Sequence, residues 1–117
     1  MKAVDLKKKG YNCCESIIES VNEKKNTNIP ICIGTPFGVG MGVGSTCGAI
    51  TGAIISMGYL KGRSNPSEKN AVSKEVREVL KEVKEKYGTL NCRELKSKGI
   101  TCEEVIDYVD NILDKYI

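Results

Sequence analysis

Three times in this chain a helix-capping residue is followed at once by cysteine and, two positions later, by glutamate: Asn12-Cys13-Cys14-Glu15, Asn91-Cys92-Arg93-Glu94 and Thr101-Cys102-Glu103-Glu104. Asn and Thr accept hydrogen bonds from the free N–H groups of a first helical turn, and Glu at the third helical position can reach back to close a capping box. Each segment therefore starts a helix and puts cysteine at its first position. Cys47, behind Ser45-Thr46, is expected in a first turn as well. Four helix starts spread along the chain leave little room for a sheet.

The stretches between these starts agree. Cys13, Ile17, Ile18 and Val21 form a helical stripe that Asn26 to Pro30 ends, and a short amphipathic turn around Val4 and Leu6 precedes it, interrupted by Gly10. Ile29 to Ile33 reads as loop or a short extended piece. Thr46 to Leu60 carries no charge and is apolar on most sides, which marks a central buried helix; Gly48 and Gly52, one turn apart on it, would let a neighbouring helix approach closely. Asn65-Pro66-Ser67-Glu68 has the signature of a helix start, so a long amphipathic helix is expected from there to Gly88. A short helix over Asn91 to Lys98 and a last one from Thr101 to Ile117 complete the reading. No segment alternates long enough to require a strand. The expected fold is all-α, one domain over residues 1–117, a bundle of four to five helices.

Before the central helix stands Gly-Thr-Pro-Phe-Gly-Val-Gly-Met-Gly-Val-Gly, residues 34 to 44. Glycine at 38, 40, 42 and 44 weakens both helix and strand there, and predicts an irregular backbone that can come close to a neighbour. The alternation matches neither dinucleotide nor P-loop fingerprints.

Composition removes several functions. Of 117 residues, 18 are Lys or Arg and 15 Asp or Glu, a net charge of +3 with the signs interleaved, so no surface is dedicated to nucleic acid or to a membrane. Without histidine there is no imidazole base, no Cys-His couple and no His-ligated metal. Aromatic residues make up only 5%, with no Trp, too few for a base-stacking platform. The first ten residues lack the apolar core of a secretory signal, and no apolar run reaches the roughly 18 residues of a membrane span. A soluble, cytoplasmic protein is expected. In a reducing compartment, six cysteines point to metal binding or thiol chemistry and not to a disulfide scaffold.

Position sharpens that expectation for four of them. A first turn offers unpaired N–H groups and the positive end of the helix dipole, both of which favour thiolate over thiol. Such sites can bring a cysteine from about 8.5 down to roughly 3.5 to 7.5. Cys13, Cys47, Cys92 and Cys102 are thus predicted to be pre-ionised ligands or nucleophiles, with the nearby cap glutamates opposing the shift. Cys14 and Cys32 lack this context and read as packing thiols. Arg93, beside Cys92, reads as a surface residue.

These residues carry a resemblance. Asn12-Cys13, the box Cys47-Gly48-Ala49-Ile50-Thr51-Gly52 behind a Gly-rich loop, Asn91-Cys92-Arg93-Glu94-Leu95 and Cys102 resemble the C_GCAxxG_C_C family, which is named for redox activity, over most of the chain from about Gly10 onward. The cysteine pattern is also similar to the non-haem domain of split-Soret cytochrome c, a protein with an iron–sulfur site, although no haem-attachment motif is present. The resemblance implies that Cys13, Cys47, Cys92 and Cys102 are the family cysteines and that the chain is redox-active.

Three chemistries follow. The leading expectation is an iron–sulfur cluster held by those four cysteines for one-electron transfer to a redox partner protein, with the backbone at Gly40, Gly42, Gly44 and Gly48 donating to cluster sulfurs. The alternative is a thiol–disulfide oxidoreductase or sulfur carrier, with Cys92 and Cys102 as one couple and Cys13 and Cys47 as a second. A structural zinc site is third, because such sites normally use close cysteine pairs. The uncharged central helix and its glycines also suggest a homodimer.

Overall fold

In a computed structural model describing residues 1–117, the chain forms six α-helices: α1 (Ala3–Lys8), α2 (Cys13–Lys25), α3 (Gly48–Lys61), α4 (Ser73–Tyr87), α5 (Cys92–Ser97) and α6 (Cys102–Leu113). There is no strand, only one isolated antiparallel bridge between Thr46 and Asn91. The all-α expectation holds, with six helices in place of four to five. No helix is long and apolar enough to cross a membrane.

Each predicted cysteine start is where the caps put it. Cys13, Cys92 and Cys102 are the first residues of α2, α5 and α6. The Asn12 box is closed from both sides, by Glu15 N–H donating to the Asn12 side chain at 2.8 Å and Asn12 N–H donating to Glu15 Oε1 at 2.9 Å. The other two close from one side only, through Glu94 N–H to Asn91 Oδ1 and Glu104 N–H to Thr101 Oγ1, both 3.1 Å. At Asn91 the reason is visible: its N–H is already taken by the Thr89 hydroxyl.

Two boundaries differ from expectation. Ile31–Ile33 and Thr35–Phe37 form short 3-10 turns. Helix α4 begins at Ser73 and not at Asn65. The signature at Asn65 closes a local turn instead: Asn65 Oδ1 accepts from Ser67 N–H at 3.0 Å, Glu68 Oε1 accepts from Asn65 Nδ2 at 2.9 Å, and Arg63 donates to the carbonyls of Pro66 and Glu68. Residues 61–71 are all exposed, so nothing there could reward a helix by burial.

The core is one cluster that includes residues of every helix. Its main seam runs between α2 and α3. Gly52 makes that seam possible, because a Cβ there would stand 2.8 Å from the Cys14 carbonyl and 3.0 Å from Ile17 Cβ. The small residues of the central helix thus seat α2, within the same chain. On the far side, α6 presents Val105, Ile106, Val109, Ile112 and Leu113 to the core. Among them is a carboxylate, Asp110, only 2% exposed. It accepts from Ala3 N–H at 3.0 Å, Ser20 Oγ at 2.8 Å and Lys24 Nζ at 2.7 Å, pinning α1 and α2 to α6.

Candidate functional site

The one bridge in the fold is what assembles the site. Cys47 N–H donates to the Leu90 carbonyl at 2.9 Å and Cys92 N–H to the Ser45 carbonyl at 2.6 Å, on either side of the Thr46–Asn91 pair. Extended backbone alternates its side chains, so residues one step either side of a bridged pair share a face. The bridge therefore sets Cys47 and Cys92 on the same side and brings the start of α5 beside the start of α3. Nothing in the hydrophobic pattern announced this clasp, because a single bridged pair has no period.

Cys13, Cys47, Cys92 and Cys102 line one cavity of about 180 Å³. Lys7 and Lys96 stand in the same wall, with Asn12 and Val39. Cys47, Cys92 and Cys102 also line a small adjoining pocket of about 10 Å³, together with Leu95, Ile100 and Val105. Four residues separated by up to 89 positions of sequence meet here, as 102 − 13 shows. No three Cys, Asp or Glu side chains are set around a common point to take a single metal ion.

The glycines hold the cavity's shape. A Cβ on Gly48 would overlap Cys13 Sγ and lie 3.0 Å from the Phe37 carbonyl, so only glycine lets Cys13 sit against the start of α3. Gly40 is buried, and a Cβ there would meet Cys92 Cβ at 2.9 Å. Gly44 faces Arg93. The predicted irregular loop is a tight turn in which Val39, Gly40, Met41 and Gly42 all have positive φ. Gly42 and Gly44 line a second cleft of about 300 Å³, which adjoins the cysteine cavity through Val39, Cys92 and Lys96.

Cys47 and Cys102 are not pre-ionised as the helix-start argument predicts. Burial pushes Cys47 up to about 12, and the neighbouring Cys13 and Cys92 add to it. The N–H groups of Ala49 and Ile50 pull the other way and lose. Cys47 is in fact the residue before α3, which starts at Gly48, and not a residue of its first turn. Cys102 is also raised, by burial first, although Lys96 and Lys7 both favour its thiolate. Desolvation in a closed pocket outweighs a helix terminus, whose field is worth little more than 1 kcal/mol. Cys14, fully buried between α2 and α3, is pushed up to about 11 by burial, against the Thr51 hydroxyl. Cys32 is exposed instead of packed.

Residues 11–116 match a family model described as "Putative redox-active protein (C_GCAxxG_C_C)". The chain belongs to the C_GCAxxG_C_C family. Cys13, Cys47, Cys92 and Cys102, the four that the sequence resemblance selects, are the cysteines that line the cavity, and Cys14 and Cys32 are not among its lining residues. No curated protein and no solved structure matches the chain.

Proposed function

We propose that this family member is a small electron carrier in which Cys13, Cys47, Cys92 and Cys102 hold an iron–sulfur cluster, with the cytoplasm, where thiols stay reduced, as its location. The observation that carries the reading is the single cavity all four share. An all-thiolate set of four is the donor set of two-iron and four-iron clusters. Tetrahedral zinc, about 2.3 Å from each sulfur, would need sulfurs about 3.8 Å apart around one point, which no three of these residues provide. A polynuclear core spreads its ligands further, so this wall suits it better than zinc.

Such a cluster, when bound, supplies one-electron exchange. The chain's own residues do the rest. Leu95, Ile100 and Val105 give Cys47, Cys92 and Cys102 apolar neighbours. Lys7 and Lys96 offset the negative charge of gathered thiolates. Gly40 and Gly48 admit Cys92 and Cys13, and the turn containing Gly42 and Gly44 borders the opening. Cys47 and Cys102 must release protons when they become ligands, so loading tightens as pH rises. Anaerobic isolation followed by iron and acid-labile sulfide analysis tests the reading. A visible absorption that bleaches with dithionite is expected, lost on Cys→Ser exchange at any of the four positions and kept at Cys14 or Cys32. Colourless protein that cannot be reconstituted overturns it.

One observation favours a second reading, a dithiol–disulfide exchanger: Cys47 and Cys92 share a face of the clasp. There the two thiols would pass two electrons and two protons to the disulfide of a substrate protein, which is reduced to a dithiol as the disulfide between Cys47 and Cys92 forms. Counting free thiols before and after mild oxidation separates the two, since four thiols that never pair remove this reading.

A further inference from the structure

Beside the cysteine cavity the chain does something unfavourable for its own folding. Val39, Gly40, Met41 and Gly42 run consecutively through φ of 55°, 57°, 60° and 75°. For glycine this is free, but for a β-branched valine and for methionine it is strained backbone, of the kind that gathers at functional sites. The strain does not bury the large side chains of the turn. Val39, Met41 and Val43 are 57%, 44% and 66% exposed, three of the few large apolar side chains left in water. The turn is nonetheless held firmly, by Ser45 N–H donating to the Gly40 carbonyl at 2.9 Å and Arg93 donating to the Val43 carbonyl at 3.2 Å.

The charged side chains that line the clefts beside it have one sign. Val39 and Val43 line the two adjoining clefts together with Lys7, Arg93 and Lys96, and no carboxylate lines either. We propose that this rim, an apolar turn flanked by three cations at the mouth of the cysteine cavity, is the docking surface for an acidic redox partner, a protein whose own contact patch is a small apolar centre ringed by carboxylates. The inference rests on the electron-carrier reading for the word redox and on the rim itself for the docking. Apolar patches with polar rims mark interaction sites. Electron-transfer encounters are small and steered by opposite charge, which is the scale and character of this surface.

A plant-type ferredoxin with an acidic surface serves as the probe, alongside the same ferredoxin with its surface carboxylates neutralised. Binding is followed by calorimetric titration and amide chemical shifts on the full chain, at low and high salt, whatever its iron content. The acidic form is expected to bind at low salt, to shift amides of residues 39–44 and 93–96, and to weaken about tenfold or more with Arg93→Glu, with Val43→Ser, on neutralisation of the ferredoxin, or in high salt. Circular dichroism checks that both variants fold. Absence of binding at low salt, or binding indifferent to both variants, overturns the proposal. If the protein holds neither iron nor a thiol couple while rim-dependent binding persists, the electron-carrier reading fails and the docking surface stands. If iron is present and the rim variants change nothing, the reverse holds.

Discussion

Asp110 shows how much one side chain can carry. It lies in the apolar stripe of α6, beside Val109 and near Ile112 and Leu113, where a carboxylate is out of place by pattern alone. Its cost of burial is offset by three donors from two other helices. Removing it strands the Ala3 N–H and the Ser20 hydroxyl without an acceptor, so Asp110→Ala is expected to cost about 2–3 kcal/mol, read as a lowered midpoint in urea unfolding with unchanged slope. That misfit within the stripe was a usable signal, and a reading built on periodicity passes over it. The thiols make the complementary case. Asn12, Asn91 and Thr101 reveal their helix starts because capping is settled within four residues. The protonation of Cys47 is settled by side chains far along the chain that bury it, and no local rule contains them.

Among the elements, the same division holds. Helices α2, α5 and α6 begin where their caps say, and α4 ends at Gly88, whose φ of 80° suits glycine. The start of α4 was misread because Asn65-Pro66-Ser67-Glu68 satisfies itself as a turn, and capping signals cannot say whether a helix will follow. What anchors α4 to the end of the chain is a clamp beyond α6: Glu82 accepts from Lys115 Nζ at 2.6 Å and from the Tyr116 hydroxyl. The hydrogen bonds of Lys115 and Tyr116 hold the Glu82 carboxyl below its usual range, and the bond to Glu82 pushes Tyr116 up to about 12. The two signs define a window. Glu82 contributes once it is ionised and loses that contribution as acid carries the pH down through its lowered value. Tyr116 contributes fully below its ordinary value of 10.0 and loses that contribution as the pH climbs through about 12. The urea unfolding midpoint is expected to fall at both extremes, and Tyr116→Phe is expected to diminish the alkaline loss and to leave only the part of the acid loss that Lys115 supports.

For the molecule as a whole, the four cavity cysteines come from the starts of α2, α3, α5 and α6, so the cavity ties together most of the fold. Anything bound there that the unfolded chain does not hold adds stability by mass action, roughly 4 kcal/mol at a thousandfold excess over its dissociation constant. Anaerobic reconstitution with iron and sulfide is therefore expected to raise the thermal midpoint, and the rise is expected to vanish in Cys102→Ser. Calorimetry with and without iron reads both. That Cys13, Cys92 and Cys102 open helices was legible from their caps, and the resemblance adds Cys47 to them. Their meeting in one wall depends on the bridge between Thr46 and Asn91, a contact across 45 positions that leaves no trace in composition or period.

That bridge also sets an order of events. Two amide bonds close a long loop of chain, and a contact so distant in sequence forms only after the intervening helices have condensed, because the entropy of closure is repaid late. Half-made molecules consequently expose scattered thiols and offer no nest for a guest. A cluster of the kind proposed would therefore be taken up only once that shape is reached.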